Sequence, residues 1–290
     1  MIFGRITHGL GNQLFQYALA RNLALRLGTQ VYVDLSYYKY TYPNDTPRVC
    51  KLQNFNIDYK TLNGSPLEYV SKATKLFPNR TLKPFFEFVK ESGFNFHPEV
   101  LQAKSSVIIL EGFWQSEKYF KENAITIKKD FTFKKSFSPQ FDFYKNEILK
   151  TPNPISIHIR RGDYVNNVES SQTFGFIGDG YYQQAVNVIQ NQFSDFRLFV
   201  FSDDKEWTKE NFKVGKDTVY IDNPGDDGDI DDLHLMSLCK HHVIANSSFS
   251  WWGAWLSSLD NKLVIAPKNW FKNKPEMNTK DLIPDNWMKI

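Results

Sequence analysis

The chain has 290 residues and a mass of 33.9 kDa, with 35 Lys and Arg against 32 Asp and Glu and a net charge of +3. Its 41% hydrophobic and 16% aromatic residues supply packed cores and exclude an intrinsically disordered chain. So mild a basic excess does not make the clustered basic face that nucleic acid requires, and allows at most weak attraction to an anionic membrane.

In chain order, the opening MIFGRITHGLGNQ holds a strand candidate, a glycine turn and the start of a helix in which Phe15, Leu19, Leu23 and Leu27 recur as an apolar stripe. It lacks the basic and apolar regions of a secretory signal. HGLGNQL (8–14) resembles GxGxxG with Leu14 at the third glycine, and Asp34, closing the strand VYVD (31–34), follows. That pattern admits a dinucleotide site with Asp34 on a ribose. A glycine turn presenting backbone N–H groups and Asn12 to an interdomain cleft is an equally good reading. From 40 to 150 the pattern thins to one strand within VIILEGFW (107–114), amid Phe, Lys and Asn, where a few aromatics could stack on sugar rings. KTPNPI (150–155) reads as a linker. With roughly 150 residues expected per domain, it divides the chain into 1–150 and 151–290.

The second half alternates strands and helices. Strands are expected at ISIHI (155–159), RLFVF (197–201), TVYID (218–222), HVIAN (242–246) and KLVIA (262–266), with helices near 181–193, 205–212, 229–240 and 250–259. This order predicts βαβ units and a parallel sheet with helices on both faces. Ligands of such sheets bind beyond the carboxyl ends of the strands, and RRGD, SDD, DNPGDDGD and NSSFS stand at those ends. The alternation in ISIHI predicts a half-buried strand with His158 and Arg160 on one side.

Arginine at a strand end suits a phosphate, so His158, Arg160, Arg161 and Asp163 read as an anion site; an internal Arg–Asp pair is the plainer alternative. Ser247 or Ser248 can cap the helix that follows, leaving its free N–H groups as a phosphate cradle, while Trp251, Trp252 and Trp255 enter the core. Asp227-x-Asp229 matches a metal-binding DxD, although a solvated turn with an acidic helix start, or a carboxylate reading a purine edge, fits better. Asp231 and Asp232 fall in the first turn of that helix, and Asp203 and Asp204, at a strand end, are candidates for base or ribose contacts. His97, His234, His241 and His242 lack ligand spacing and read as structural. Cys50 and Cys239 show no CxxC spacing, which argues against zinc or a disulfide framework and fits a reducing compartment.

Three segments taken together, GLGNQLFQYALA (9–20), HIRRGDY (158–164) and FSDD (201–204) with DLHLMSLCKHHVIANSSFSWWGAWL (232–256), resemble the α-1,2-fucosyltransferases of glycosyltransferase family 11. The resemblance implies an α/β, GT-B-type architecture of two Rossmann-like domains facing a central cleft. It also implies GDP-fucose as donor, inversion at the anomeric carbon, and no metal or other cofactor. The second domain would bind GDP-fucose and the first most of a galactose-terminated glycan acceptor. Arg160 matches the arginine that contacts the diphosphate. His158, Asp203, Asp231, Asp232, Asn246, Ser247, Ser248 and Phe249 fall around the nucleotide, and Asn12 near the fucose and β-phosphate. Asp163 is either the general base or the residue that orients Arg160 or Arg161.

Two other classes make contrasting predictions: an NAD-dependent oxidoreductase built on HGLGNQL and Asp34, and a non-catalytic carbohydrate-binding protein. No apolar run approaches the roughly 20 residues that span a bilayer. The chain therefore reads as cytoplasmic, at most peripheral to an inner membrane, or as a catalytic portion separated from an anchor.

Overall fold

The structure, a computed structural model, describes residues 1–42, 46–62, 83–215, 217–272, 274 and 277–290. The chain forms two compact units, residues Met1–Lys134 with Met277–Pro284, and Lys135–Glu276 with Asp285–Ile290. The boundary therefore lies at 134/135, not at 150/151. The helix Phe141–Lys150 shifts it, because Phe141 and Ile148 are buried in the core of the second unit with Phe199, Phe201 and Leu235. KTPNPI runs directly into the central strand and is no linker.

The first unit is a parallel sheet of five strands: β1 (Ile2–Arg5), β2 (Val31–Asp34), β3 (Lys60–Thr61), β4 (Phe86–Lys90) and β5 (Val107–Glu111), in the order β3-β2-β1-β5-β4. The helix Leu10–Arg26 returns over β1. A Cβ on Gly4 would stand 3.3 Å from the Cβ of Ala20, so glycine at that place sets how closely helix and strand approach. Phe15, Leu19 and Leu23 are buried as the stripe predicts, but the helix stops at Arg26 and Leu27 is exposed. Phe3, Ile109, Phe88 and Leu62 form a core on one face of the sheet. The returning segment Met277–Pro284 is fastened by Asp281, which accepts from the Phe96 N–H (3.0 Å) and from Lys118 Nζ (2.6 Å).

The second unit is a parallel sheet of six strands: β6 (Pro154–Ile159), β7 (Arg197–Ser202), β8 (Thr218–Tyr220), β9 (His241–Val243), β10 (Val264–Ala266) and β11 (Met288–Lys289), ordered β11-β10-β9-β6-β7-β8. Along β7, Leu198 and Val200 face the core built on the helix Asp179–Gln192, while Phe199 and Phe201 face the core built on Phe141–Lys150 and Gly228–Leu238. Both faces are covered, as the helical crossovers of a parallel sheet require. β6 is accordingly buried along its whole length, not half-buried as its alternation predicts.

Among the described residues each sheet has one switch point, a pair of neighbouring strands that are not consecutive in the chain. It falls between β1 and β5 in the first unit and between β6 and β9 in the second. Such pairs splay their outgoing loops and open a crevice at the carboxyl ends of the strands.

Candidate active site

The second switch point gathers the charged motifs. β6 ends at Ile159, and Arg160 then meets two carboxylates, Asp163 at 2.6 Å from Nη2 and Asp203 at 3.0 Å from Nη1. Arg161 pairs with Asp204, lays its guanidinium 4.1 Å from the ring centre of Trp207, and donates its backbone N–H to Asp203 at 2.8 Å. Gly162 lies so close that a Cβ there would reach within 2.8 Å of Asp203 Oδ2. Burial works against the charge on Arg160, yet Asp203 and Asp163 outweigh it and hold its pKa above the ordinary value.

His158, on β6 two residues before Arg160, is buried against Phe249, with ring centres 5.5 Å apart. Burial first, and the charge of Arg160 second, lower its pKa to about 3. The imidazole is therefore neutral near pH 7. It can offer a hydrogen bond or a face to a ligand, but no positive charge. Its Nδ1 is buried without a hydrogen-bond partner.

On the β9 side, Ser247 is the cap of the helix Ser248–Leu256, its Oγ accepting from the Phe249 N–H at 3.3 Å. Ser248 opens the helix, and Trp251, Trp252 and Trp255 are buried beneath it. Asn246 is a brace. Its amide donates to the carbonyls of Trp270 (3.1 Å), Phe174 (3.3 Å) and Gly175 (3.4 Å). The Tyr164 hydroxyl donates to the Asn246 carbonyl at 2.9 Å, tying the segment after β6 to the segment after β9.

The two aspartates at the start of Gly228–Leu238 divide their work. Asp231 accepts the backbone N–H groups of Phe137 and Ser138, fastening the chain ahead of Phe141–Lys150. Asp232 accepts from Asn223 Nδ2 at 2.8 Å, and burial raises its pKa to about 7. Asp227 and Asp229 sit at the start of that helix. Among the described residues no three His, Cys, Asp or Glu side chains converge as a metal site.

Asn12 belongs to the first unit, in the first turn of Leu10–Arg26, where its Oδ1 accepts from Gln115 Nε2 at 2.6 Å. Its neighbours Gln13 and Gln16, which sequence reasoning passed over, are the staples of the first switch point. Gln13 donates to the carbonyls of His8 and Val49, both at 2.9 Å, and accepts from the Lys51 N–H. Gln16 accepts the Thr7 N–H and donates to Thr7 Oγ1 and the Gly112 carbonyl. It thereby joins the loop after β1 to the loop after β5. The glycine-loop signal for a dinucleotide fades here: Gly9 has an ordinary φ of −76°, and a Cβ there would meet nothing nearer than 3.9 Å. Asp34 accepts from the Ser36 N–H and lies 3.8 Å from Arg5 Nε.

The sequence model of glycosyl transferase family 11 matches residues 103–290. An alpha-1,2-colitosyltransferase of Escherichia coli is 34% identical over 303 aligned positions that cover 100% of this chain and 99% of the relative. An E. coli O-antigen biosynthesis glycosyltransferase, WbnK, is 31% identical with both chains fully covered. The galactoside alpha-(1,2)-fucosyltransferase 2 of Rattus norvegicus is 29% identical over 108 positions, 37% of this chain and 30% of that one. A mutant of Arabidopsis thaliana FUT1 solved with GDP superposes with a TM-score of 0.54 at 11% identity, covering 98% of this chain and 74% of that one. The two sheets and their order thus make a GT-B-like fold, and the chain belongs to glycosyl transferase family 11, of the α-1,2-fucosyltransferase type.

Proposed function

We propose that the protein transfers L-fucose from GDP-fucose to the 2-hydroxyl of a terminal β-galactose, with inversion and without a metal ion. The observation that carries this reading is Arg160, held by Asp163 and Asp203 at the end of β6, whose neighbour β9 leads to the capped helix start at Ser247 and Ser248. Attack by the acceptor oxygen forms the new bond to the anomeric carbon as the bond to the β-phosphate oxygen breaks. Negative charge grows on the departing GDP, and fixed N–H donors aimed at it stabilise the transition state more than the ground state. Arg160, the Ser248 N–H and the Ser247 hydroxyl supply that stabilisation. A diphosphate taken up by Arg160 displaces or shares one of its two carboxylate partners.

His158, Phe249, Asp203 and Asp232 contact the nucleoside, and Asn246 and Asp231 shape the loops around it. Asn12 approaches the fucose and the β-phosphate. Asp163 orients Arg160, its observed partner. The same carboxylate is the base in the alternative reading, and on a loose, oxocarbenium-like path the proton leaves late and demands little of either. Asp163→Asn retains the hydrogen bond but not the basicity, and so separates the two roles. Most of the acceptor falls to the first unit.

The full-length likeness to a colitosyltransferase favours a second reading, in which the transferred sugar is colitose. The relative named for O-antigen biosynthesis supports a surface polysaccharide as the product, made in the cytoplasm. Among the described residues no helix is long and apolar enough to cross a membrane.

The deciding experiment offers GDP-fucose and GDP-colitose, each in EDTA, to a panel of β-galactosides, with the product linkage read by NMR. α-1,2-Linked fucose on galactose is the expected result. Preference for the colitosyl donor replaces the donor and keeps the rest. Transfer that requires Mg²⁺ overturns metal independence. Affinity for NAD(H) without GDP binding, or glycan binding indifferent to GDP, overturns the reading in favour of the oxidoreductase or the non-catalytic lectin.

A further inference from the structure

The first switch point carries a cavity of about 510 Å³, within the roughly 300–1,000 Å³ usual for small-molecule sites. No charged motif marks it, and its walls differ in kind from those at the second. We propose that this cavity is a pyranose subsite for the glycan acceptor, built to take a neutral sugar and to refuse an anionic one. The assignment rests on the glycosyl-transfer reading above and adds to it the place and the charge of the acceptor.

One wall is aromatic. The His8 imidazole stacks on Tyr37 with centres 5.0 Å apart, and Tyr37 stacks on Tyr42 at 4.8 Å and 14°. Phe113 meets His8 edge-on at 4.9 Å. Flat rings beside a solvent-open cavity suit the C–H face of a pyranose, which is apolar although the sugar's rim is not. The same lining includes an ionic group. Arg5 pairs with Glu111 and lies 3.8 Å from Asp34, and Lys90 lies 3.5 Å from Glu111. Arg5 and Asp34 are both 7% exposed.

The formal charges of these four side chains cancel, and each positive group already faces a carboxylate. Sugar hydroxyls both donate and accept, so they can bridge such pairs without disturbing the balance. A carboxylate on the ligand meets Asp34 and Glu111 with Arg5 already engaged, and its desolvation goes uncompensated.

The walls are held in place before any ligand arrives. Glu91 accepts the N–H groups of Phe113 (2.6 Å) and Trp114 (2.9 Å), and Gln16 joins Thr7 to Gly112. His8 adopts φ +60°, uncommon for a residue with a Cβ, and this turn sets its ring in the aromatic wall. Strain kept at a cavity wall by surrounding bonds is a mark of a functional site.

The test is direct binding, without turnover. Saturation-transfer NMR and calorimetry of the whole protein with lactose, in the absence of nucleotide, are expected to show binding. 3′-Sialyllactose is expected to bind at least tenfold more weakly. Tyr42 is exposed, so Tyr42→Ala preserves the fold; it and Phe113→Ala are each expected to weaken lactose about tenfold while leaving GDP affinity unchanged. Glu111→Gln is expected to narrow the lactose-to-sialyllactose ratio. Lactose binding unchanged in both aromatic variants, absent from the wild type, or matched by sialyllactose overturns the assignment. Failure of the transfer reading shows separately, as loss of GDP binding and of GDP-fucose turnover, whatever the lactose result.

Discussion

The two sheets are both parallel but differ in strand number and order, and they differ further in what lines the carboxyl ends of their strands. In the second unit the loops after β6 and β9 carry two arginines, Asp163 and a capped helix start, and the segment after β7 adds Asp203, Asp204 and Trp207. In the first unit the loops after β1 and β5 carry His8 and Phe113, and the segment after β2 adds Tyr37 and Tyr42, beside Arg5 with its carboxylate partners. The carboxyl ends of two parallel sheets thus serve two chemistries. A diphosphate needs fixed positive charge and N–H donors, whereas a pyranose needs a flat apolar face beside hydroxyl partners. The crevice comes from the fold, and the ligand class from the side chains that fill it.

The largest effect that would break this contrast belongs to Arg160. Arg160→Ala is expected to lower turnover by about 10³-fold, or about 4 kcal/mol of transition-state stabilisation, and to weaken GDP. Lactose binding should be unaffected. Near-normal turnover in a folded Arg160→Ala protein would remove the diphosphate assignment. Asp163 and Asp203 also lose their partner in this variant, so circular dichroism and thermal unfolding must accompany the kinetics.

Next in size comes Gln16. Its side chain satisfies the Thr7 N–H and the Gly112 carbonyl, both at the first switch point. Gln16→Ala strands these groups and is expected to lower stability by about 2 to 3 kcal/mol. Lactose affinity should fall with it, while GDP affinity holds. Loss of both affinities together would show that the two ends are not independent.

How far these sites were legible in the sequence follows the same division. The second unit could be read because its strands are compact apolar runs and its charged residues fall contiguously at their ends, in RRGD, SDD and NSSFS. What the sequence could not say is how those residues pair. That Asp231 holds Phe137 and Ser138, 94 and 93 positions away, is a long-range fact with no local signature. The helix Phe141–Lys150 was missed because it has no side-chain cap and buries only Phe141 and Ile148, too sparse a stripe to stand out. The first cavity was illegible for a different reason. It is assembled from separated segments of ordinary residues: Arg5 to His8, Asp34 to Tyr42, Lys90, and Glu111 to Phe113. Gln13 and Gln16 bond loops 36 and 96 positions away, and a glutamine within a helix shows no periodicity.

The smallest expected effect is the dependence of stability on pH, which separates the units by sign. Burial raises Glu91 from 4.5 to about 7, against the opposing pull of the Phe113 and Trp114 N–H groups. Between pH 4.5 and 7 the folded protein therefore keeps a proton that the unfolded chain has released, and stability falls as pH climbs through that window. The second unit holds Asp232, with the same sign, but also buried histidines with the opposite one. Burial lowers His158 to about 3 and both His234 and His241 to about 4, so their contribution is present above pH 6.5 and is lost as pH falls toward 4. Glu91→Gln removes one titration from the first unit alone. The wild-type minus variant difference in unfolding free energy is expected to decline by about 2 kcal/mol from pH 5 to 8, less than the full shift implies because Glu91 is partly exposed. Parallel curves would mean that the Glu91 carboxylate is ionised without penalty. The Phe113 wall would then need another explanation for its fixed position, since a solvated carboxylate exchanges those two N–H groups for water at little cost.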